Sequence, residues 1–238
     1  MDNTGYTTLS RQSGLMREMQ TVANNIANVS TTGYRAEGVV FSEFVKALAP
    51  GEPSLSMAHA NVRAVDFSQA ALKPTGGTFD FGIEGEGFFL LETPEGQMLT
   101  RAGSFTPNQE GELVAPDGAR LLDGGGAPIF VPPDARSIAL ATDGTLSADG
   151  TPINQIGLFL PSDPTQLERR GGARFAGGGE PLPVENAVIL QGFVEGSNVN
   201  AVNEIARMIE VQHAYELGQK FLDQEHERVR SVMQTLGK

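Results

Sequence analysis

In the stretch Leu9-Ser10-Arg11-Gln12-Ser13-Gly14-Leu15-Met16-Arg17-Glu18-Met19-Gln20-Thr21-Val22-Ala23-Asn24-Asn25-Ile26-Ala27-Asn28-Val29, the apolar residues Leu15, Met19, Val22, Ile26 and Val29 alternate four and three apart. An average spacing of 3.5 residues keeps an apolar seam on one side of an α-helix, turned toward a partner helix. The pattern returns at the other end of the chain. There Met208, Val211, Tyr215, Leu222, Val229, Val232 and Leu236 share one heptad register, broken only by Gly218 and Glu225. Two such seams can pair with each other or with other subunits. Everything between them reads as strand and turn.

The first helix is expected to start at Asn3 or Thr4, either of which can cap free N–H groups, and to run to about Asn28. Ser30-Thr31-Thr32-Gly33 stops it, with Gly33 suited to a left-handed C-terminal position. Asn24, Asn25 and Asn28 are poor helix formers, so they need another reason, such as fixing the register of a helix pair. The second helix opens at Gly196-Ser197-Asn198-Val199-Asn200, with Asn198 or Asn200 as cap, and continues toward Leu236. At ~1.5 Å per residue it exceeds 50 Å, more than a domain of this size needs for its own core.

Between the helices, residues 41–65 read as an extended connector interrupted by Pro50-Gly51-Glu52-Pro53. A β-rich domain spans 66–195. Its hairpins are marked by Glu110-Gly111, Asp117-Gly118, Asp123-Gly124, Asp143-Gly144 and Asp149-Gly150, since type I′ turns need positive φ at both central residues. Arg169 to Pro183 reads as a mobile, Gly-rich loop, and Val188 to Val194 as a last strand. The expected fold is α+β. Terminal segments 1–40 and 196–238 pair as a coiled-coil layer, and the central all-β domain is rich in antiparallel hairpins.

The chain of 238 residues carries a net charge of −12, which opposes nucleic-acid binding. Residues 1–40 hold three acids and three bases, and residues 198–238 hold six and five, so the middle carries nearly all the excess. Neutral helical ends pack without repulsion, and an acidic middle resists non-specific association. No run reaches the roughly 18 apolar residues of a membrane span, and no secretory signal is visible at Met1-Asp2-Asn3-Thr4-Gly5. The absence of Cys excludes disulfides and thiolate metal sites.

Catalytic patterns are lacking, and no cofactor or metal is expected. Gly82-Ile83-Glu84-Gly85-Glu86-Gly87 superficially resembles a phosphate loop, but it leads into the strand-like Phe88-Phe89-Leu90-Leu91 and carries two acids. His213 and Glu216 could touch on one helical face without the further ligands that zinc requires. A cell-wall-binding or glycan-active module acting through Arg169, Arg170 and Arg174 is the alternative from another functional class.

The segment Val22-Ala23-Asn24-Asn25-Ile26-Ala27-Asn28-Val29-Ser30-Thr31-Thr32-Gly33-Tyr34-Arg35 resembles the N-terminal signature of the flagellar rod, hook and hook-associated family. Gly196-Ser197-Asn198-Val199-Asn200, Met208-Ile209 and Gln212-His213-Ala214-Tyr215-Glu216 are similar to its C-terminal signature, with His213 where Arg is usual. Gly82 to Phe89 and Thr100-Arg101-Ala102-Gly103-Ser104-Phe105 match two motifs of the family's β-domain. The short connector and single modest β-domain point to a proximal rod subunit rather than a distal rod or hook-type subunit.

The resemblance implies export by the flagellar type III apparatus without a cleaved signal, a place in the periplasmic part of the basal body, and helical polymerisation. Copies of itself and other rod proteins would be the partners, meeting through the terminal helices. From the first helix and motif the expected contacts are Leu15, Met19, Val22, Asn24, Asn25, Ile26, Asn28 and Tyr34. From the second they are Asn198, Asn200, Met208, Ile209, Val211, Tyr215, Gly218 and Leu222. Gly218 is expected to admit the close approach of another helix.

Overall fold

The computed structural model describes residues 3–46, 55–184 and 188–236. They form two compact units. One comprises residues 1–27, 36–66 and 199–238, and the other residues 28–35 and 67–198.

The first unit contains both long helices. Helix α1 runs Asn3–Ala27 and α2 runs Ala201–Leu236. They lie antiparallel, as two polar contacts show. The Gln12 Nε2 donates to the Tyr215 carbonyl at 2.9 Å, and Arg207 Nη2 lies 2.7 Å from Glu18 Oε1. The cap of α2 is Asn200, whose Oδ1 accepts from the N–H groups of Val202 and Asn203. This satisfies donors that the first turn leaves open.

Burial along α2 recurs at Glu204, Met208, Val211, Tyr215, Gly218, Leu222 and Glu225, all at least half-buried. This is the heptad register read from the sequence, with Gly218 and Glu225 at seam positions. On α1 the buried stripe is Gln12, Leu15, Glu18, Val22 and Asn25, while Met19 and Ile26 are only half-buried. The facing stripe is therefore more polar than the apolar periodicity predicts. Every residue from His226 to Thr235 is exposed. With 25 residues in α1 and 36 in α2, the last turns of α2 extend past the start of α1.

The connector expected over 41–65 is replaced by an antiparallel ladder of strands β1 (Glu37–Lys46) and β2 (Leu55–Val65), registered from Glu37↔Val65 to Lys46↔Leu55. The interruption at Pro50-Gly51-Glu52-Pro53 lies outside the described residues. A register shift between Val40 and Phe41 bulges the pair. Asn25 fixes where it begins. Its Nδ2 donates to the Glu37 carbonyl at 2.8 Å and its Oδ1 accepts from the Glu37 N–H at 3.0 Å. A helical side chain thereby acts as a strand neighbour, which explains an Asn near the end of a helix better than register between helices does.

In the second unit, β3 (Leu72–Pro74) and β4 (Phe81–Glu84) precede β5 (Phe88–Thr93) and its hairpin partner β6 (Gly96–Thr100), which lie at the centre of an antiparallel sheet. Arg174–Gly177 and Leu167–Arg169 extend it beyond β6, so the segment expected as a mobile loop contains a paired hairpin. Arg120–Leu121 and Leu113–Val114 extend it on the other side. Phe81, Phe89, Leu91, Leu113, Leu121, Ile129, Leu146, Ile156 and Ile189 fill the core, with the ring of Phe105 set edge-on to Phe89 at 5.5 Å. The last strand is two short ones, Val188–Gln191 and Phe193–Glu195, parted by Gly192 in a left-handed conformation.

Of the Asp-Gly turns, only Asp149-Gly150 has positive φ at both residues. Asp123 and Asp143 instead accept the N–H two residues ahead on their carboxylates, an Asx geometry. Turn position was legible in these dipeptides, while turn type depended on that competing bond.

Gly33 is left-handed (φ +70°), but α1 has already ended at Ala27, so it does not cap the helix. An added Cβ would sit 2.2 Å from the Ala102 nitrogen and 2.4 Å from the Arg101 carbonyl carbon. Both are backbone atoms and cannot step aside. Gly33→Ala is therefore expected to destabilise the second unit by about 3–5 kcal/mol, since clash and unfavourable φ act together. Urea unfolding of the full chain followed by circular dichroism checks this.

Candidate functional site

In the first unit, α1 and α2 keep apolar surface that their contact does not use. On α1, Tyr6, Leu9 and Met16 are exposed. On α2, Val202, Ile205, Ile209, Leu217 and Phe221 are exposed, as are Val229, Val232 and Met233 on the last turns. Single surface apolar residues need no explanation, but a series of them along one helix makes a candidate interaction surface. A groove lined by Thr8, Arg11, Gln12, Leu15, Ala214, Leu217, Gly218 and Phe221 runs between the helices.

The residues expected at subunit contacts separate into three groups. Leu15, Val22, Asn25, Tyr34 and Val211 are buried within this chain. Asn24, Asn200 and Ile209 are exposed, while Met19, Ile26, Asn28, Asn198, Met208, Tyr215, Gly218 and Leu222 are intermediate. Asn198 donates through Nδ2 to the Ser68 carbonyl at 3.1 Å, a role inside the second unit. At Gly218 an added Cβ would lie 2.2 Å from Gln12 Nε2. The missing side chain lets the amide of α1 reach the α2 backbone.

In the second unit a charged cluster escaped the sequence reading. Glu195 is fully buried with Arg35, which is also fully buried, and with Arg101, which is 3% exposed. Its Oε1 lies 2.8 Å from Arg35 Nη1 and accepts from the Ala70 N–H at 2.7 Å. Its Oε2 accepts from Arg101 Nη1 at 3.0 Å, and its backbone carbonyl accepts from Gly33 N–H at 2.8 Å.

Arg101 also donates to the Gly85 carbonyl at 2.6 Å and lies over the Phe88 ring. Burial pulls its guanidinium below the ordinary arginine value. Glu195 opposes that shift and Arg35 adds to it. The Arg35 contact is a close charge approach rather than a directed hydrogen bond. Two cations on one carboxylate leave the cluster with a net positive charge.

The arginines of the 169–174 segment are also engaged. Arg169 is stacked between the rings of Tyr34 at 4.2 Å and Phe175 at 4.7 Å, and donates to the Arg35 carbonyl. Arg174 pairs with Asp117, whose carboxyl is held below its usual value chiefly by that hydrogen bond. Arg170 makes an exposed pair with Glu168. Arg169 and Arg174 are thus used within the unit, in place of the solvated loop expected. Among the described residues, no group of three or more His, Cys, Asp or Glu is placed to hold a metal ion, and no helix is long and apolar enough to cross a membrane.

The signatures thus bear structural roles at both roots of the helices and in the β-domain. Three family profiles match these same regions: the flagella basal body rod protein over residues 4–35, the flagellar hook protein FlgE/F/G D1 domain over 82–148, and the flagellar basal body rod FlgEFG protein C-terminal over 190–235. The flagellar basal-body rod protein FlgF of Caulobacter vibrioides is 38% identical over all of this chain and 99% of its own length. The chain belongs to the flagellar basal-body rod protein family.

FlgF of Mesorhizobium japonicum is 36% identical, also over the full chain, with 99% of its own length covered. FlgG of Bacillus subtilis is 26% identical over 96% of this chain and 97% of its own. These likenesses identify a FlgF-like structural subunit of the basal-body rod, in a family of structural rod proteins that assemble with other rod and hook subunits. The distal rod or hook-type alternative is not favoured.

Two substitutions separate the roles of these residues. Glu195→Ala leaves two buried guanidinium groups without their carboxylate and is expected to destabilise by about 3–5 kcal/mol in denaturant unfolding. Gly218→Ala is expected to be nearly neutral for the isolated chain. A helix-propensity gain of about 1 kcal/mol offsets the loss of the Gln12–Tyr215 hydrogen bond, worth about 0.5–1.5 kcal/mol. Thermal unfolding of the monomer measures that balance.

Proposed function

We propose that this rod subunit polymerises through its terminal helices, as part of the torque-transmitting drive shaft and export channel, with the proximal rod as its place. The helices form the inner, coiled-coil layer and the acidic β-rich unit lies outside. The observation that carries this reading is the exposed apolar residues of α2, Val202, Ile205, Ile209, Leu217 and Phe221, with three further ones beyond the reach of α1. Burying them against neighbouring helices yields ~25 cal/mol per Å² of apolar surface.

The contact residues divide accordingly. Ile209, with the half-buried Met19, Ile26, Met208 and Leu222, meets other subunits, and Asn24, Asn28 and Asn200 lie at the rim. Leu15, Val22, Asn25, Tyr34 and Val211 act inside the subunit and shape that surface indirectly. The chain reaches the periplasmic part of the basal body through the flagellar type III export apparatus, without a cleaved signal. The absence of Cys supports this route, because no thiol is at risk in an oxidising compartment.

The cysteine-free background also provides the test. Ile209→Cys and Met233→Cys are each expected to react readily with a soluble alkylating agent in the dilute monomer. In purified basal bodies both should react about tenfold more slowly or less, as buried groups do. Unchanged reactivity at both positions in basal bodies would sink the proposed interface.

A further inference from the structure

The Arg35–Glu195–Arg101 cluster joins segments far apart in the sequence. Arg35 lies just after α1 in the chain, and Glu195 just before α2. The Gly33 N–H donates to the Glu195 carbonyl, and the Asn198 N–H donates to the Tyr34 carbonyl at 3.3 Å. Ala70 N–H bonds the Glu195 carboxylate, and Asn198 Nδ2 bonds the Ser68 carbonyl. Residues 33–35, 68–70 and 195–198 are thus knitted together around one carboxylate, within the second unit.

We propose that this cluster is a root lock. It holds the segment leaving α1 beside the segment entering α2 in the unassembled chain, whether or not the helices themselves are formed. Three observations support it. The charged groups are buried, so their attraction is only weakly screened by water and salt. Two main-chain bonds, Gly33 N–H to the Glu195 carbonyl and Asn198 N–H to the Tyr34 carbonyl, fix the two roots in register, and the Ala70 N–H ties a third segment to the carboxylate. The stacked Arg169, which donates to the Arg35 carbonyl, clamps the Tyr34 ring from the β-sheet side.

A helix growing from an ordered end has less of its nucleation penalty left to overcome. Closing the long loop between residues 35 and 195 is also already done before a neighbour arrives. The lock makes the two helices start side by side, so that assembly adds helical turns to a fixed pair of origins.

Amide hydrogen exchange on the dilute full-length monomer tests the lock, and the readout does not depend on assembly. Failure of the rod reading and failure of the lock are therefore distinguishable. Wild-type protein is expected to protect the amides of Gly33, Ala70 and Asn198. Both Glu195→Gln and Arg35→Met should speed exchange at these three positions by about tenfold or more, through local opening, while the β5–β6 ladder amides of Leu91 and Met98 keep their wild-type rates. Arg35→Met retains the Arg101–Glu195 pair and serves if Glu195→Gln does not fold. Exchange at Gly33 and Asn198 at unstructured-peptide rates in wild type would overturn the proposal. So would unchanged protection in Arg35→Met, or a loss of protection across the whole core in that variant, which would make the cluster a general support.

Discussion

The placement of Glu195 between two buried arginines is the constraint that joins the segments flanking α1 and α2 within the second unit. A lone buried carboxylate carries a desolvation penalty of several kcal/mol, and so does each guanidinium. Pairing offsets that penalty, so the cluster favours the arrangement in which the segments that carry the three groups meet. Arg35 comes from the turn after α1, Arg101 from the end of β6 and Glu195 from the strand before α2. Gly33 follows the same logic: its missing Cβ lets the backbone of Arg101 and Ala102 approach the turn that delivers Arg35. The unit is thus closed by electrostatics and a glycine as much as by its apolar core.

Much of the fold was legible because helices and hairpins announce themselves through period and turn chemistry. The limits of α1 and α2, the heptad register of α2 and the strands around Asp143 and Asp149 all follow from local patterns. The β1–β2 ladder did not, since its apolar residues lack a clean alternation and its pairing is fixed partly by Asn25, a side chain on a distant helix. The Arg35–Glu195–Arg101 cluster was invisible for a related reason. Charged residues in turns read as solvated by default, and only the three-dimensional meeting of three separate motifs reveals that these are buried. The motifs themselves pointed to residues that matter, but a motif does not show what each of them touches inside the chain.

Tyr34 shows how such a contact stays hidden in the sequence. An aromatic residue beside an arginine at the end of a signature reads as a contact for a partner. In the structure it is 1% exposed and stacked against Arg169. The interaction is a cation–π contact whose partner lies in another hairpin, and the two residues share no pattern in the sequence. Asn25 and Gly218 carry the same lesson, since each serves a specific polar contact inside the chain.

The contact between α1 and α2 explains why the helices leave so much apolar surface unused. Its polar positions on α1 are the buried Gln12 and Glu18. Polar groups at a helix contact specify alignment more than they stabilise it, because their hydrogen bonds replace bonds to water at little net gain. The Gln12–Tyr215 and Glu18–Arg207 contacts accordingly set which turn of α1 faces which turn of α2. Met208, Val211 and Leu222 of α2 are covered, while its other apolar residues, Val202, Ile205, Ile209 and those of the overhanging end, stay exposed. A helix pair aligned by polar contacts keeps its register at little cost in apolar surface, which is why Val202, Ile205 and Ile209 on α2 and Leu9 and Met16 on α1 remain exposed in the single chain.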